Sequence, residues 1–125
     1  MSFKNSFSKT VRLNNSKVIR EVFEHGIYKS LGPIAAKFKK SEAESSRFSI
    51  SIKKKVGVAP FRNKIKRFIR EAIRLERSEL NSSFDICFFV TTPASIKIDF
   101  ELVQNKIKHF FDYLNKDSLN KNEKL

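Results

Sequence analysis

Between Ser16 and His25 the apolar residues Val18, Ile19, Val22 and Phe23 return every three or four positions, a spacing that gathers side chains on one face of a helix. It predicts a short amphipathic helix with Ser16 as N-cap and Gly26 as its stop. After Gly32 and Pro33 the period drops to two. In IAAKFKK, Ile34, Ala36 and Phe38 share one face while Lys37 and Lys39 take the other, which predicts a strand. A polar turn, SEAESS at 41 to 46, leads to RFSISIK, where Phe48, Ile50 and Ile52 alternate with Arg47, Ser49, Ser51 and Lys53, the two-sided pattern of a second strand. Pro60 suits the opening of another helix, because its missing N–H would find no partner there. Past the turn at 81 to 83, FDICFFV is too continuously apolar for a half-exposed strand and is expected at the centre of the sheet, ended by Pro93. Phe100, Val103, Ile107, Phe110 and Leu114 mark a third helix, with Asp99 as N-cap.

These elements predict one α+β domain, a small mixed sheet packed by helices, over residues 1–115. Residues 1 to 13 read as an extended lead-in, and 116–125, KDSLNKNEKL, as a flexible C-terminal tail. The thirteen Phe and the 40% hydrophobic content supply a core for the 125 residues. Phe84, Phe88, Phe100 and Phe110, at strand and helix periodicity, belong to that core. Phe23, on an amphipathic helix, is placed to sit at the edge of a cleft.

Charge changes the picture. Lys and Arg number 26 against 13 acids, a formal net charge of +13. Such an excess exceeds what solubility requires and points to a polyanionic partner. The single cysteine, Cys87, leaves no intramolecular disulfide to form, which fits a reducing cytoplasm. No apolar run approaches the ~20 residues of a membrane-spanning helix, and the amino terminus lacks a signal-type apolar stretch.

The cations concentrate in FRNKIKRFIREAIRLER, residues 61 to 77. On a helical wheel Phe61, Ile65, Phe68, Ala72 and Leu75 form the expected core face, with Ile69 at its margin. Arg62, Lys66, Arg70 and Arg77 fall opposite, with Asn63, Arg67 and Arg74 beside them, and Glu71 and Glu76 at the flanks. Like charges four residues apart cost a helix a few tenths of a kcal/mol per pair. Arg62, Lys66 and Arg70 accept that cost in succession, and an external anion would offset it. Arginine's planar fork meets phosphate oxygens bidentately, so the stripe suits the backbone of a structured nucleic acid.

The run KKKVGVAPFRNKIKRFIREAIR resembles the signature of the protein subunit of bacterial ribonuclease P: a Lys pair and Gly before the helix, then Arg-Asn, Ile-Lys-Arg and Ile-Arg-Glu in the family's order and spacing. The likeness extends from Arg12 and Leu13, through FEHG at 23 to 26, to TPAS after the late strand. It implies the order α-β-β-β-α-β-α, with a left-handed crossover through the basic helix. The pattern itself shows two strands before that helix and leaves the third merged with 47 to 56.

The resemblance further implies that the basic helix docks on a large catalytic RNA, one protein per RNA, and that a cleft between the first helix and the sheet receives the 5′ leader of precursor tRNA. Carried over to this chain, the RNA-binding positions are Lys54, Lys55, Arg62, Asn63, Lys64, Lys66, Arg67, Arg70 and Arg74. The leader-binding positions are Arg12, Phe23, Lys37, Phe38, Ser49, Ser51 and Lys53. Ile19 and Lys37 stand where relatives often carry aromatic residues, Lys64 stands for an Arg, and Thr91 lies near a position that is often basic.

Catalytic residues are not expected in the chain. His25 and His109 are the only histidines, each suited to a capping or surface role, and the scattered acids give no two-metal arrangement. Mg²⁺ is expected on the RNA partner and the substrate phosphates, and Cys87 in the core. The rival readings are a ribosomal or other structural RNA-binding protein and, third, a DNA-binding module, for which Pro60 preceded by a strand offers no helix-turn-helix.

Overall fold

The computed structural model describes residues 11–91 and 97–124, with side chains up to 116. The elements follow in the order α1 (Ser16–His25), β1 (Ile27–Ser30), β2 (Ala35–Lys40), β3 (Arg47–Ile52), α2 (Ala59–Glu76), β4 (Phe84–Val90) and α3 (Phe100–Lys124). Pro93 and the TPAS segment fall outside the described residues.

Helix α1 begins one residue earlier in its capping than the sequence suggests. Asn15, not Ser16, is the N-cap, its side-chain oxygen accepting from the N–H groups of Lys17 and Val18 at 2.9 and 3.2 Å. Asn competes as well as Ser for this position, and its extended backbone leaves Ser16 inside the first turn. Gly26 ends α1 as expected, and the reason is a close approach. A Cβ there would lie 2.4 Å from the Val22 carbonyl oxygen and 2.8 Å from that of Phe38.

The sheet order is β1-β2-β4-β3, with β1·β2 and β2·β4 antiparallel and β3·β4 parallel. FDICFFV is therefore a central strand, and α2 is the crossover that a parallel neighbour requires. The strand missing from the hydropathy pattern is β1, not a part of 47 to 56. Its four residues IYKS lie at the sheet edge, mostly exposed, so no apolar alternation betrays them. The sheet is also extended beside β3, where Arg12 bridges Phe48 in parallel and Leu13 N–H donates to the Phe48 carbonyl at 2.8 Å.

Alternation in the strands divides the side chains between two layers. Ala36, Phe38, Phe48, Phe84, Ile86, Phe88 and Val90 are buried in the main core. Helices α2 and α3 pack on each other and contribute Ile65, Ile69, Ala72, Ile73, Val103, Ile107, Phe110, Phe111 and Leu114 to it. Aromatic rings bridge helix and sheet: Phe110 meets Phe38 edge-on at 5.4 Å and Phe88 at 5.9 Å. Such pairs add to the area they bury. The opposite face carries Lys37, Lys39, Arg47, Ser49, Ser51, Asp85, Cys87 and Phe89, and α1 crosses it, packing Val22, Val18 and Ile19 with Leu13 on Cys87.

Two details of the helices differ from their patterns. The buried stripe of α2 is Ile65, Ile69, Ala72 and Ile73, so the inward direction is turned toward Ile73, and Leu75 is left 43% exposed. Asp99 caps α3 as expected, accepting from Leu102 N–H at 2.9 Å. The helix then runs to Lys124, through the segment expected to fray; no Gly or Pro interrupts it between Phe100 and Leu125.

Candidate nucleic-acid interface

The rotation of α2 sorts its cations into two sets. Asn63, Lys64, Arg67 and Arg70 are exposed, whereas Arg62, Lys66, Arg74 and Arg77 are half-buried along the helix sides. Arg62 is held: its Nε donates to the Gly57 carbonyl at 2.9 Å. Gly57 sits against the Phe61 ring, where a Cβ would come within 2.7 Å of Cδ2. The signature glycine thus packs the turn that includes Lys54 and Lys55 against the start of the helix and aims one guanidinium. Arg74 is tied to Glu71 through both its Nε and a terminal nitrogen. That pairing, with the hydrogen bond as its leading cause, holds the Glu71 carboxyl below its ordinary pKa and raises Arg74. Arg74, one of the positions carried from the resemblance, thus already has an acid on its fork.

Lys66 and Arg70 line a groove of about 200 Å³ between α2 and the edge of β3, whose other wall is Arg12, Leu13 and Asn14, with Ser49 and Ile50 below. Arg12, expected with the leader-binding positions, thus stands beside α2 cations. Phe48 lines this groove and also a larger cleft at the far end of the helix, so the two depressions follow one another along α2.

The other face presents a different surface. Across the strands lie three rows fixed by register: Lys39, Asp85, Arg47; Tyr28, Lys37, Cys87, Ser49; and Ser30, Ala35, Phe89, Ser51. The first row is closed by a bidentate pair, Arg47 Nε and Nη2 each 2.9 Å from an Asp85 oxygen. Asp85 is only 3% exposed, and its hydrogen bonds raise the Arg47 pKa above the ordinary guanidinium value. Burial pushes the Cys87 thiol up, opposed by a hydrogen bond from Ser49, so Cys87 is a core residue, as expected.

Beyond α1 the face opens. Phe23 is 38% exposed and Tyr28 55% exposed, and both rings lean on Phe89, with centroids at 5.8 and 6.2 Å. Lys37 does not leave a gap where an aromatic is frequent. Its Nζ donates to the Phe23 carbonyl at 2.8 Å and lies 5.3 Å from the ring centroid, so it caps the last turn of α1 and fixes Phe23. Ser51 and Lys53 are exposed beside this strip, and Ser49 is half-buried.

Phe38 does not belong here. It is 2% exposed, packed among Phe84, Phe110 and Tyr113 on the core side, because alternation puts it on the face opposite Lys37. Phe89 and Tyr28 take the place expected of it. The alternation of Asp85, Cys87 and Phe89 within FDICFFV is the signal that could have found Phe89. Both histidines are exposed, and His25 lies only 3.9 Å from Glu24. Among the described residues no three of His, Cys, Asp and Glu gather as they would to hold a metal ion.

The comparisons with known proteins bear on the chain as a whole. The family model for Ribonuclease P matches residues 7–115. The chain belongs to this family. Among its relatives, the ribonuclease P protein component of Dictyoglomus turgidum is 35% identical over 102 residues, which is 81% of this chain and 86% of the relative. The solved ribonuclease P protein of Staphylococcus aureus superposes with a TM-score of 0.70 at 26% identity, covering 82% of this chain and 93% of that one. The protein from Thermotoga maritima gives 0.68 at 27% identity, covering 80% and 94%. The family's element order is the one observed here. Among the described residues no helix is long and apolar enough to cross a membrane.

Proposed function

We propose that this chain is the protein subunit of ribonuclease P, binding the catalytic RNA through α2 and the 5′ leader of precursor tRNA through the aromatic strip, and so assisting endonucleolytic removal of the leader in the cytoplasm. The observation that carries this reading is a cationic helix face and a separate, partly exposed aromatic strip on one core. Arg62, Asn63, Lys64, Lys66, Arg67 and Arg70, with Lys54 and Lys55, address backbone phosphates of a structured RNA. Phe23, Phe89 and Tyr28, bordered by Lys37, Ser51 and Lys53, address the bases and backbone of a single strand.

Each part has a stated chemical task. The guanidinium forks neutralise phosphates and release counterions, and about five such interactions give a log-log salt slope on the order of −4. The exposed rings offer π-faces to unpaired bases, each stack contributing about 1–3 kcal/mol whatever the base. The hydroxyls of Ser49 and Ser51 can donate to leader phosphates. Among the described residues no acids gather into a Mg²⁺ site; the RNA and substrate phosphates are the ion's proposed holders, in a complex of one protein per RNA.

The leader surface is tested by Phe23→Ala combined with Phe89→Ala. Affinity of the reconstituted complex for precursor tRNA is expected to fall about 10- to 100-fold, while affinity for mature tRNA, which has no leader, stays as it was. An equal loss for both RNAs, or none for either, means the strip does not hold the leader.

A further inference from the structure

A cleft of about 500 Å³ lies at the C-terminal end of α2, where the helix, the turn before β3 and the loop into β4 meet. None of the signature positions explains it except Arg74, which is committed to Glu71. Arg77 reaches the same cleft. It is half-buried, and no acid lies within ion-pair distance of it among the described residues. A guanidinium with no acid on its fork keeps its donors available to a phosphate.

The rest of the lining has the composition of a nucleotide pocket. Leu80 provides apolar surface above the buried Phe48, while Ser45, Ser78, Asn81 and Ser82 provide hydroxyl and amide groups. The rim is fixed before anything binds. Ser46 Oγ accepts from Phe84 N–H at 2.9 Å, and Ser83 Oγ donates to the Glu44 carbonyl at 2.9 Å. From α3, Asn115 accepts from Asn81 N–H at 2.9 Å and donates to the Glu79 carbonyl at 2.8 Å. Glu44, also at the rim, disfavours a polyphosphate and can accept from a base N–H. The volume is that of a small-molecule site rather than a single ion.

We propose that this cleft binds one phosphate-bearing nucleotide, its phosphate on Arg77 and Ser78 and its base against Leu80 with the Ser and Asn groups at its edge. The groove holding Arg12, Lys66 and Arg70 and this cleft lie one after the other along α2, so a strand following the helix would reach the cleft roughly 22 Å from Arg62. Naming RNA as the source rests on the proposed function; the chemistry of the cleft does not.

The test uses the full chain and 5′-nucleoside monophosphates, with inorganic phosphate as the control, followed by amide NMR shifts. The nucleotides are expected to move Ser45, Ser78, Asn81 and Ser82 more strongly than phosphate does, and Arg77→Gln is expected to weaken this binding about tenfold. Arg77→Lys, which keeps the charge and loses the fork, should fall between. No shifts at the cleft, shifts confined to residues 62–70, or equal responses to phosphate and nucleotide overturn the proposal. In the reconstituted complex the R77Q protein assigns the source: a loss of affinity for catalytic RNA places the nucleotide there, a loss for precursor tRNA alone places it in the substrate, and no loss for either overturns the site. Failure of the α2 signature variants with nucleotide binding intact would remove the proposed function and leave the cleft standing.

Discussion

Arg62→Glu with Arg67→Glu is expected to lower affinity for the catalytic RNA by about 100-fold or more, while the melting temperature changes by only a few degrees. Each reversal removes a charge-assisted hydrogen bond of about 1.5–3 kcal/mol and adds repulsion, and neither side chain supports the core. Arg67 is exposed, and Arg62 contributes to the fold through one hydrogen bond to the Gly57 carbonyl. The salt dependence should become shallower by about 0.7–0.9 in slope for each phosphate that is no longer neutralised. Filter binding across a salt series and a thermal melt decide the matter. Wild-type RNA affinity in the variant, or an unfolded variant, contradicts the assignment of these cations to RNA.

The second large effect is expected from Arg47→Met, on stability instead of binding. Asp85 lies beneath the surface with its two oxygens on one guanidinium, and removing that partner strands a buried carboxylate, which costs about 3–5 kcal/mol. Since β3 and β4 are the parallel pair joined only through α2, the Arg47 to Asp85 link fastens them directly at their first register position. Arg47→Met should lower Tm by roughly 10 °C or more. Asp85→Asn should cost less, because Arg47 reaches water, and Arg47→Met with Asp85→Leu should recover much of the loss. A double variant no more stable than Arg47→Met alone would mean that the pair is not the source of the effect.

Hydrophobic period carried the three helices and the strands from 34, 47 and 84, because each buries a face continuous enough to leave a pattern. It failed at β1, where four residues hold an exposed edge by backbone pairing to β2. It misdirected α2 by omitting Ile73, a residue whose burial depends on where α3 lies and not on the helix alone. The signature located the cations but could not say that Arg74 would be occupied by Glu71, or that Arg12 would face Lys66 and Arg70 across a groove. Phe38 and Phe89 differ by strand parity: the parity of Phe38 was readable, whereas Phe89 was hidden in a run read as buried on both sides. Lys37 makes sense only in three dimensions, since its partner is a backbone carbonyl fourteen residues away.

The central claim is that this chain acts by assisting an RNA catalyst. Its most direct measurement is the cleavage of precursor tRNA by the cognate catalytic RNA at low Mg²⁺, with and without the folded protein. Faster cleavage at the mature 5′ end is predicted when the protein is present, with no cleavage by the protein alone. Equal rates with and without the protein, or cleavage in the absence of the RNA, would contradict it.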